Sequence, residues 1–254
     1  MARTHEELKL FETKEQPVQP SKYRRVLLKL SGEALTGGLG FGIDSKVVRR
    51  FAQEIVNARQ DLDVELAVVV GGGNFWRGAQ NPEMDPAQAD YTGMLATIMN
   101  GLILQDHLEK MHQATRVMSA IEVKKVAEEY IRRRATRHLE KGRVVILAGG
   151  TGNPTFTTDT AASLRAVELD CEVMLMAKNG VDGVYSADPK LDPNAVRYEE
   201  LSYLDIINGG LKVMDSTAAT HAKENNLPII VFDGLKEGGL EEILINPSLG
   251  TIIR

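Results

Sequence analysis

The segment VVVGGGNFWRG spans residues 68–78 and joins an apolar run directly to three consecutive glycines. Ordering a glycine costs more conformational entropy than ordering any other residue, so a glycine triplet at the end of a buried strand needs a reason. The usual reason is a backbone that turns sharply or approaches another group closely. Two aromatic residues and Arg77 follow the triplet. The segment therefore predicts a strand that leads into a binding loop.

Similar apolar runs recur along the chain, separated by segments with helical spacing. The predicted strands are 25–30, 65–70, 115–120, 143–148, 172–177 and 228–232, with a last strand expected in GTIIR at 250–254. Most of these runs are apolar almost throughout, which is typical of strands covered on both faces of a sheet. The alternation predicts an α/β protein with a mostly parallel sheet between two helical layers.

Two long helices are predicted over 43–60 and 90–113. In the first, apolar residues recur on one face. The second is expected to begin at Asp90 as its N-cap, and its apolar residues cover more than one face. Such a helix is either central to the core or packs against another subunit, and we favour the subunit contact because a surface helix needs only one apolar stripe.

Composition limits the class of protein. The chain has 254 residues and no convincing internal boundary, so we expect a single domain over 23–254 after a mobile tail at 1–22. The tail lacks the apolar core of a signal peptide, and a short helix is expected within it at 6–11. No apolar run in the sequence is long enough to span a membrane. The only cysteine, Cys171, is expected to be a buried small hydrophobe and excludes an intramolecular disulfide, which fits a cytoplasmic location.

Charge argues against a nucleic-acid-binding protein. The formal net charge is −5, so a generally basic surface is not indicated. The basic segment 130–143 is interpreted as a solvated helix face, with nucleic acid or an anionic effector as the minority alternative.

Three predicted strands end in glycine-rich loops, KLSGEAL, GGGNFWRG and GGTGNPTFTTDT. Ligands of open parallel sheets bind beyond the carboxyl ends of the strands, and glycine-rich backbone there presents N–H groups to anions. Lys29, Arg77 and Lys178 lie at the same predicted edge. Three cations over three such loops favour phosphoryl transfer, whose catalysis is mainly positioning and charge neutralisation.

Several other sites are not supported by the sequence. There is no Gly-Lys dipeptide and hence no P-loop, and no GxGxxG follows a strand. His107 and His112 are five residues apart, which is not a metal-ligand pair, and we assign no metal to protein side chains. The segment GVDGVYSADP at 180–189 is a β-hairpin or, with equal weight, a base and ribose site around Asp182, Tyr185 and Asp188.

The ordered set LLKLSGEAL, GGGNFWRG, MLATIMNGL, GTGNPTFTTDTAA and VDGVYSADP resembles the bacterial uridylate kinases, a branch of the amino-acid-kinase superfamily. The match extends from about residue 24 to the C-terminus and so covers nearly the whole chain. The resemblance implies the α/β/α sandwich of the amino-acid-kinase fold, a homohexamer, and transfer of phosphate from Mg·ATP to UMP in pyrimidine nucleotide biosynthesis. It also implies GTP as an activator and UTP as an inhibitor.

The resemblance assigns roles to individual residues. Lys29 and Asp159 would be catalytic, with Lys29 at the transferred phosphoryl group and Asp159 orienting the Lys29 side chain. The residues implied for ATP are Lys29, Leu30, Ser31, Gly32, Gly73, Arg77, Asn179, Tyr185 and Asp188. The residues implied for UMP are Gly72, Asp90, Gly150, Thr151, Gly152, Asn153, Pro154, Thr155, Phe156 and Thr157. The loop implied for the GTP response is Gly37, Gly38, Leu39, Gly40, Phe41 and Gly42.

Two further hypotheses remain at this point. A relative of the same superfamily could act on carbamate, acetylglutamate or aspartate, although the loop GTGNPTFTTD favours UMP. A nucleotide sensor without catalysis could dispense with Lys29 and Asp159, and both are present. UMP phosphorylation is therefore the leading hypothesis.

Overall fold

The computed structural model describes residues 20–78, 81–209, 211 and 213–254. The predicted helix at 6–11 and most of the predicted tail lie outside the described residues. Within them, nine strands form one sheet in the order β4-β3-β5-β2-β1-β6-β10-β11-β9. All neighbouring pairs are parallel except β10 with β11, so the prediction of a mostly parallel sheet is confirmed.

The strands of this sheet are β1 (Arg25–Leu30), β2 (Glu65–Val70), β3 (Thr115–Ser119), β4 (Glu128–Glu129), β5 (Val144–Ala148), β6 (Val173–Lys178), β9 (Glu200–Leu201), β10 (Ile229–Asp233) and β11 (Thr251–Ile253). A separate antiparallel pair is formed by β7 (Val184–Tyr185) and β8 (Arg197–Tyr198). The expected last strand is therefore present as β11, and the 180–189 segment does enter a hairpin.

The helices are α1 (Ser45–Asp61), α2 (Pro86–Lys110), α3 (Arg132–Glu140), α4 (Thr158–Glu168), α5 (Tyr203–Gly209), α6 (Ser216–Glu224) and α7 (Gly239–Ile245). They lie in two layers, because the sheet has a separate apolar core on each face. Helices α1, α2 and α7 cover one face, and α3, α4, α5 and α6 cover the other. The predicted α/β/α sandwich is confirmed.

Strand β1 shows how the period of two residues directs side chains into these layers. Val26, Leu28 and Leu30 belong to the core under α1 and α2, whereas Leu27 belongs to the core under α4. Successive side chains of a strand point to opposite faces, so Lys29 shares the face of Leu27. Its ammonium is thereby directed toward the layer that contains α4.

The predicted start of α2 is wrong. The helix begins four residues earlier, with Asp85 as the N-cap whose carboxylate accepts from Gln88 N at 3.1 Å and with Pro86 in the first turn. Proline is well suited to this position because its missing N–H has no intrahelical partner there. Asp90 therefore lies inside the helix, and its carboxylate is available for a contact with another element.

Candidate active site

The glycines at the strand ends are required first by packing. A Cβ placed on Gly32 would lie 2.5 Å from Asn74 Oδ1 and 2.7 Å from Gly71 O, and one on Gly72 would lie 2.7 Å from Gly93 O in α2. Side chains do not tolerate such distances, so the loops after β1 and β2 and the helix α2 meet backbone to backbone. The glycine triplet thus allows three elements to converge at the carboxyl edge of the sheet.

Lys29 and Asp159 form an ion pair at this convergence. Lys29 Nζ lies 2.9 Å from Asp159 Oδ1, and the two side chains are 11% and 17% exposed. Asp159 is in the first turn of α4, where a carboxylate is also favoured by the helix dipole. The sequence-based expectation that Asp159 lies beside Lys29 agrees with this geometry.

Lys178 is a second, partly buried lysine at the same edge. It ends β6, and its ammonium donates to the carbonyl of Val213. Burial lowers the pKa of Lys178 below its ordinary value, the charge of Lys29 lowers it further, and Asp159 partly opposes both effects. Two ammonium groups thus lie near one carboxylate, which is paired with Lys29 only, and this excess of positive charge favours an additional anion beside them.

A cavity of about 730 Å³ opens beside the two lysines, a size that suits a nucleotide. Its walls come largely from the segment after β6, together with Lys29, Ser31 and Glu33. Of the residues implied for ATP, it contains Lys29, Ser31, Asn179, Tyr185 and Asp188. Leu30, Gly32, Gly73 and Arg77 do not line it.

Polar groups in this cavity are placed to bind a ligand. Asn179 Oδ1 is buried and has no hydrogen-bond partner among the described residues. An unpaired buried carbonyl oxygen is costly, so this atom suits a donor on a bound molecule. Tyr185 donates its hydroxyl proton to Asp182 Oδ1 at 2.7 Å, and this bond is the main cause of its raised pKa.

The other predicted binding loop, between β5 and α4, is attached to different elements. Thr155 N donates to Asp90 Oδ2 at 2.7 Å, so this hydrogen bond attaches the loop to the side chain of a residue within α2. Thr155 adopts a left-handed φ of 72°, which this hydrogen bond helps to hold. Phe156 is 48% exposed. None of the residues implied for UMP lines the 730 Å³ cavity.

The last residue of this loop anchors the helix that carries Asp159. Thr157 caps α4, its hydroxyl oxygen accepting from Asp159 N at 3.1 Å and Thr160 N at 3.2 Å, and it donates to Asp215 Oδ2. Asp215 in turn caps α6. The hydroxyl of Thr157 is therefore already engaged in positioning Asp159.

Arg77, Cys171 and the basic segment do not line the 730 Å³ cavity. Arg77 forms an ion pair with Glu33, and both side chains are about half exposed. Cys171 is partly buried, and desolvation raises the pKa of its thiol to about 12, which fits the expectation of an unreactive side chain. The basic segment forms α3, whose arginines are mostly exposed.

Sequence reasoning missed several polar residues that hold the loops. They are Glu33, Asn74, Thr97, Asn100 and Asp215. Thr97 and Asn100 could have been noticed, because they are polar residues on the buried face of a strongly apolar helix. In the described parts of the chain, no helix is long and apolar enough to cross a membrane, and no cluster of three potential metal ligands is found.

The fold and this edge define an α/β protein with a nucleotide-sized cavity beside paired lysines and glycine-rich loops. Residues 24–233 match the model of the amino acid kinase family. The chain belongs to the amino acid kinase family.

Among solved structures, the chain is similar to UMP kinases over most of its length. The chain is 41% identical to a UMP kinase from Bacillus anthracis, with a TM-score of 0.88, covering 91% of this chain and 96% of that one. It is 38% identical to a UMP kinase from Ureaplasma parvum, with a TM-score of 0.86, covering 91% and 98%. A uridylate kinase from Archaeoglobus fulgidus is 30% identical, with a TM-score of 0.67, covering 90% and 99%.

Proposed function

We propose that this chain transfers the γ-phosphoryl group of ATP to UMP, giving ADP and UDP for pyrimidine nucleotide biosynthesis. The observation that carries the proposal is the Lys29–Asp159 pair, which lies between a nucleotide-sized cavity and the glycine-rich loops. The similarity to UMP kinases over about nine-tenths of the chain supports the choice of acceptor.

ATP is assigned to the 730 Å³ cavity. Its base and ribose would lie against Asn179, Tyr185 and Asp188, and its phosphates would extend toward Lys29 and Lys178. A lysine whose pKa is lowered by burial gains from an anion beside it, because the anion restores the stability of its charged form. Lys178 therefore joins Lys29 as a proposed phosphate-binding residue.

UMP is assigned to the loops after β2 and β5, with its phosphate at the backbone amides. Gly72 and residues 150–157 would surround it, and Asp90 would face its ribose while holding Thr155. During transfer, an oxygen of the UMP phosphate bonds to the γ-phosphorus as the bond to the β-phosphate oxygen breaks. The acceptor oxygen is already anionic near neutral pH, so no strong general base is needed.

Mg²⁺ would enter with ATP. Asp159 and Asp215 at this edge are engaged with Lys29 and Thr157, and Mg²⁺ in kinases is bound largely by substrate phosphates and water. We therefore assign its ligands chiefly to the nucleotide. When bound, it neutralises the charge that develops on the phosphate oxygens.

Assembly and control are part of the proposal. The outer face of α2 exposes Tyr91, Leu95 and Met99, spaced four residues apart, which supports a homo-oligomer and, by resemblance, a hexamer. GTP is proposed as activator through Gly37–Gly42, where Leu39 and Phe41 are exposed and Phe41 packs edge-on against Phe75. UTP is proposed as inhibitor.

The test is ADP formation from Mg·ATP with a panel of acceptors: UMP, CMP, dUMP, carbamate, acetylglutamate and aspartate. We expect rapid turnover with UMP alone. If another acceptor is preferred, the assignment of the acceptor loops is wrong while the family assignment stands. If none is phosphorylated but UMP or UTP still binds, the chain is a sensor.

A further inference from the structure

Two asparagines form a closed amide pair beneath the glycine triplet. Asn74 Nδ2 donates to Asn100 Oδ1 at 2.9 Å, and Asn100 Nδ2 donates to Asn74 Oδ1 at 2.7 Å. The side chains are almost fully buried, at 2% and 0% exposure. Their remaining protons go to backbone carbonyls, from Asn100 to Gly71 O at 2.7 Å and from Asn74 to Gly42 O at 3.0 Å.

This arrangement allows each amide only one orientation. If Asn100 were flipped, its oxygen would face the carbonyl oxygen of Gly71, and two acceptors would be buried against each other. The same holds for Asn74 and Gly42. Because buried polar groups are costly when unpaired, the four hydrogen bonds form or fail together. The pair is thus a rigid connection between the middle of α2, the glycine triplet and the end of the Gly37–Gly42 loop.

The connection fixes a peptide group of the proposed acceptor site. A trans peptide unit is planar, and its C=O and N–H point in opposite directions. The bond from Asn100 directs the Gly71 carbonyl toward α2, so the N–H of Gly72 in the same peptide plane points away from α2. Within the described residues, neither Gly72 N nor Gly73 N donates to a protein acceptor. These amides therefore remain available to an anion.

The hydrogen bond from Asn100 is needed because the peptide that it fixes joins two glycines. With no Cβ on either side, the Gly71–Gly72 peptide can rotate at little conformational cost. Rotation would present a carbonyl oxygen where an N–H is needed and would repel a phosphate. The structure thus holds a flexible peptide in one of two orientations by a single buried side-chain donor.

We propose that Asn100, held by Asn74, is a positioning residue that keeps the Gly72 N–H directed at the phosphate of the acceptor. The proposal rests on the assignment of UMP to this loop. Asn100 contacts no substrate and acts only through the peptide orientation. Its loss affects acceptor binding and phosphoryl transfer together, and leaves the ATP cavity after β6 unchanged.

The test compares Asn100→Leu, which keeps the branched shape of the side chain and removes both N–H donors, with Leu104→Val as a matched control. Leu104 is equally buried one turn further along α2 and lies in the apolar core. For Asn100→Leu we expect kcat with UMP to fall about 100-fold, the lower end of the range for the loss of one oriented donor, with a higher KM for UMP. The KM for ATP should stay within about threefold of wild type, because Asn100 acts only on the acceptor loop. A general loosening of the structure would instead raise the KM for UMP and the KM for ATP together.

A crystal structure of the Asn100→Leu variant provides a readout that needs no activity. We expect the Gly71 carbonyl to have turned away from α2. If the carbonyl keeps its direction, or if Leu104→Val reproduces the same kinetic change, the proposal is wrong. If Asn100→Leu does not fold, Asn100→Ala, which removes the donor without adding apolar bulk, is measured in its place with the same expectations.

The outcome separates this proposal from the proposed function. If wild-type protein does not phosphorylate UMP, the function fails, and the direction of the Gly71 carbonyl in the variant still decides whether Asn100 positions the peptide. If wild-type protein phosphorylates UMP and the variant does so equally well, only the role of Asn100 fails.

Discussion

The two halves of the site are built in different ways. The proposed donor half is a 730 Å³ cavity whose walls come mainly from one stretch of chain after β6. The proposed acceptor half consists of loops after β2 and β5 that are fastened to α2 by Asp90, Thr97 and Asn100. One half is therefore a local structure, and the other depends on side chains that are distant in sequence.

This difference has a consequence for sensitivity to mutation. A cavity lined by many residues loses little affinity for the nucleotide when one typical contact is removed, because most single contacts in a binding site contribute little and the others remain. A glycine loop has no side chains to fix its backbone, so its shape depends on a few hydrogen bonds. We expect single substitutions to damage the acceptor half more than the donor half, apart from the lysines between them.

The largest effect is expected for Lys29→Ala. Removing the ammonium takes away charge that stabilises the transferred phosphoryl group, and turnover should fall by about 10³-fold or more, with UMP binding retained. Steady-state kinetics and calorimetric titration with UMP measure the two quantities. Near-normal turnover would show that Lys29 is not catalytic.

Asp159→Asn is the companion experiment, since it leaves Lys29 in place without its 2.9 Å partner. We expect a loss of turnover of about 10²-fold, smaller than for Lys29→Ala, because the ammonium is still present but less well oriented. A larger loss for Asp159→Asn would reverse the proposed order of the two roles.

Lys178→Met should lower turnover by about 10²-fold, chiefly at the phosphate of ATP. It also gives a pH signature. Because burial and Lys29 lower the pKa of Lys178 in the folded state, the unfolded chain binds this proton more tightly. The wild-type free energy of unfolding, relative to Lys178→Met, should therefore increase as pH rises through the folded pKa toward the ordinary lysine pKa. Denaturant titrations at several pH values measure this difference, and a constant difference would contradict it.

Asp90→Asn tests the acceptor half directly. The neutral amide can still accept from Thr155 N, but more weakly than a carboxylate, since charge-assisted hydrogen bonds are about twice as strong. We expect the KM for UMP to rise about tenfold and the KM for ATP to change much less. An equal change in both constants would remove Asp90 from the acceptor site.

The smallest effect is expected for Tyr185→Phe in the donor cavity. The substitution keeps the ring and removes one hydroxyl, whose bond to Asp182 is solvent-exposed and worth on the order of 1 kcal/mol or less. The KM for ATP should change by no more than about fivefold, with turnover unaffected. A loss as large as that of Asp90→Asn would contradict the idea that the donor half tolerates single losses.

The fold was predictable because its signals are local. Strands β1 and β2 have the boundaries expected from their apolar runs, and β11 was anticipated from GTIIR. The start of α2 was not, because Asp85 and Asp90 are equally good N-cap types and only the structure shows which carboxylate meets the first free amides. Three of the residues implied for ATP, Asn179, Tyr185 and Asp188, lie in one short segment after β6, and for that reason they line one cavity.

The sequence by itself determined the alternation of strands and helices, the placement of glycines and lysines at one edge of the sheet, and the family. Those features depend on periodicity and on the chemistry of single residues. The tertiary structure alone decided that Asn74 meets Asn100, that Asp90 holds Thr155 and that Thr157 meets Asp215. These pairs are separated by 26, 65 and 58 residues. Contacts at such distances arise from the packing of whole helices on a sheet, and no local pattern encodes them.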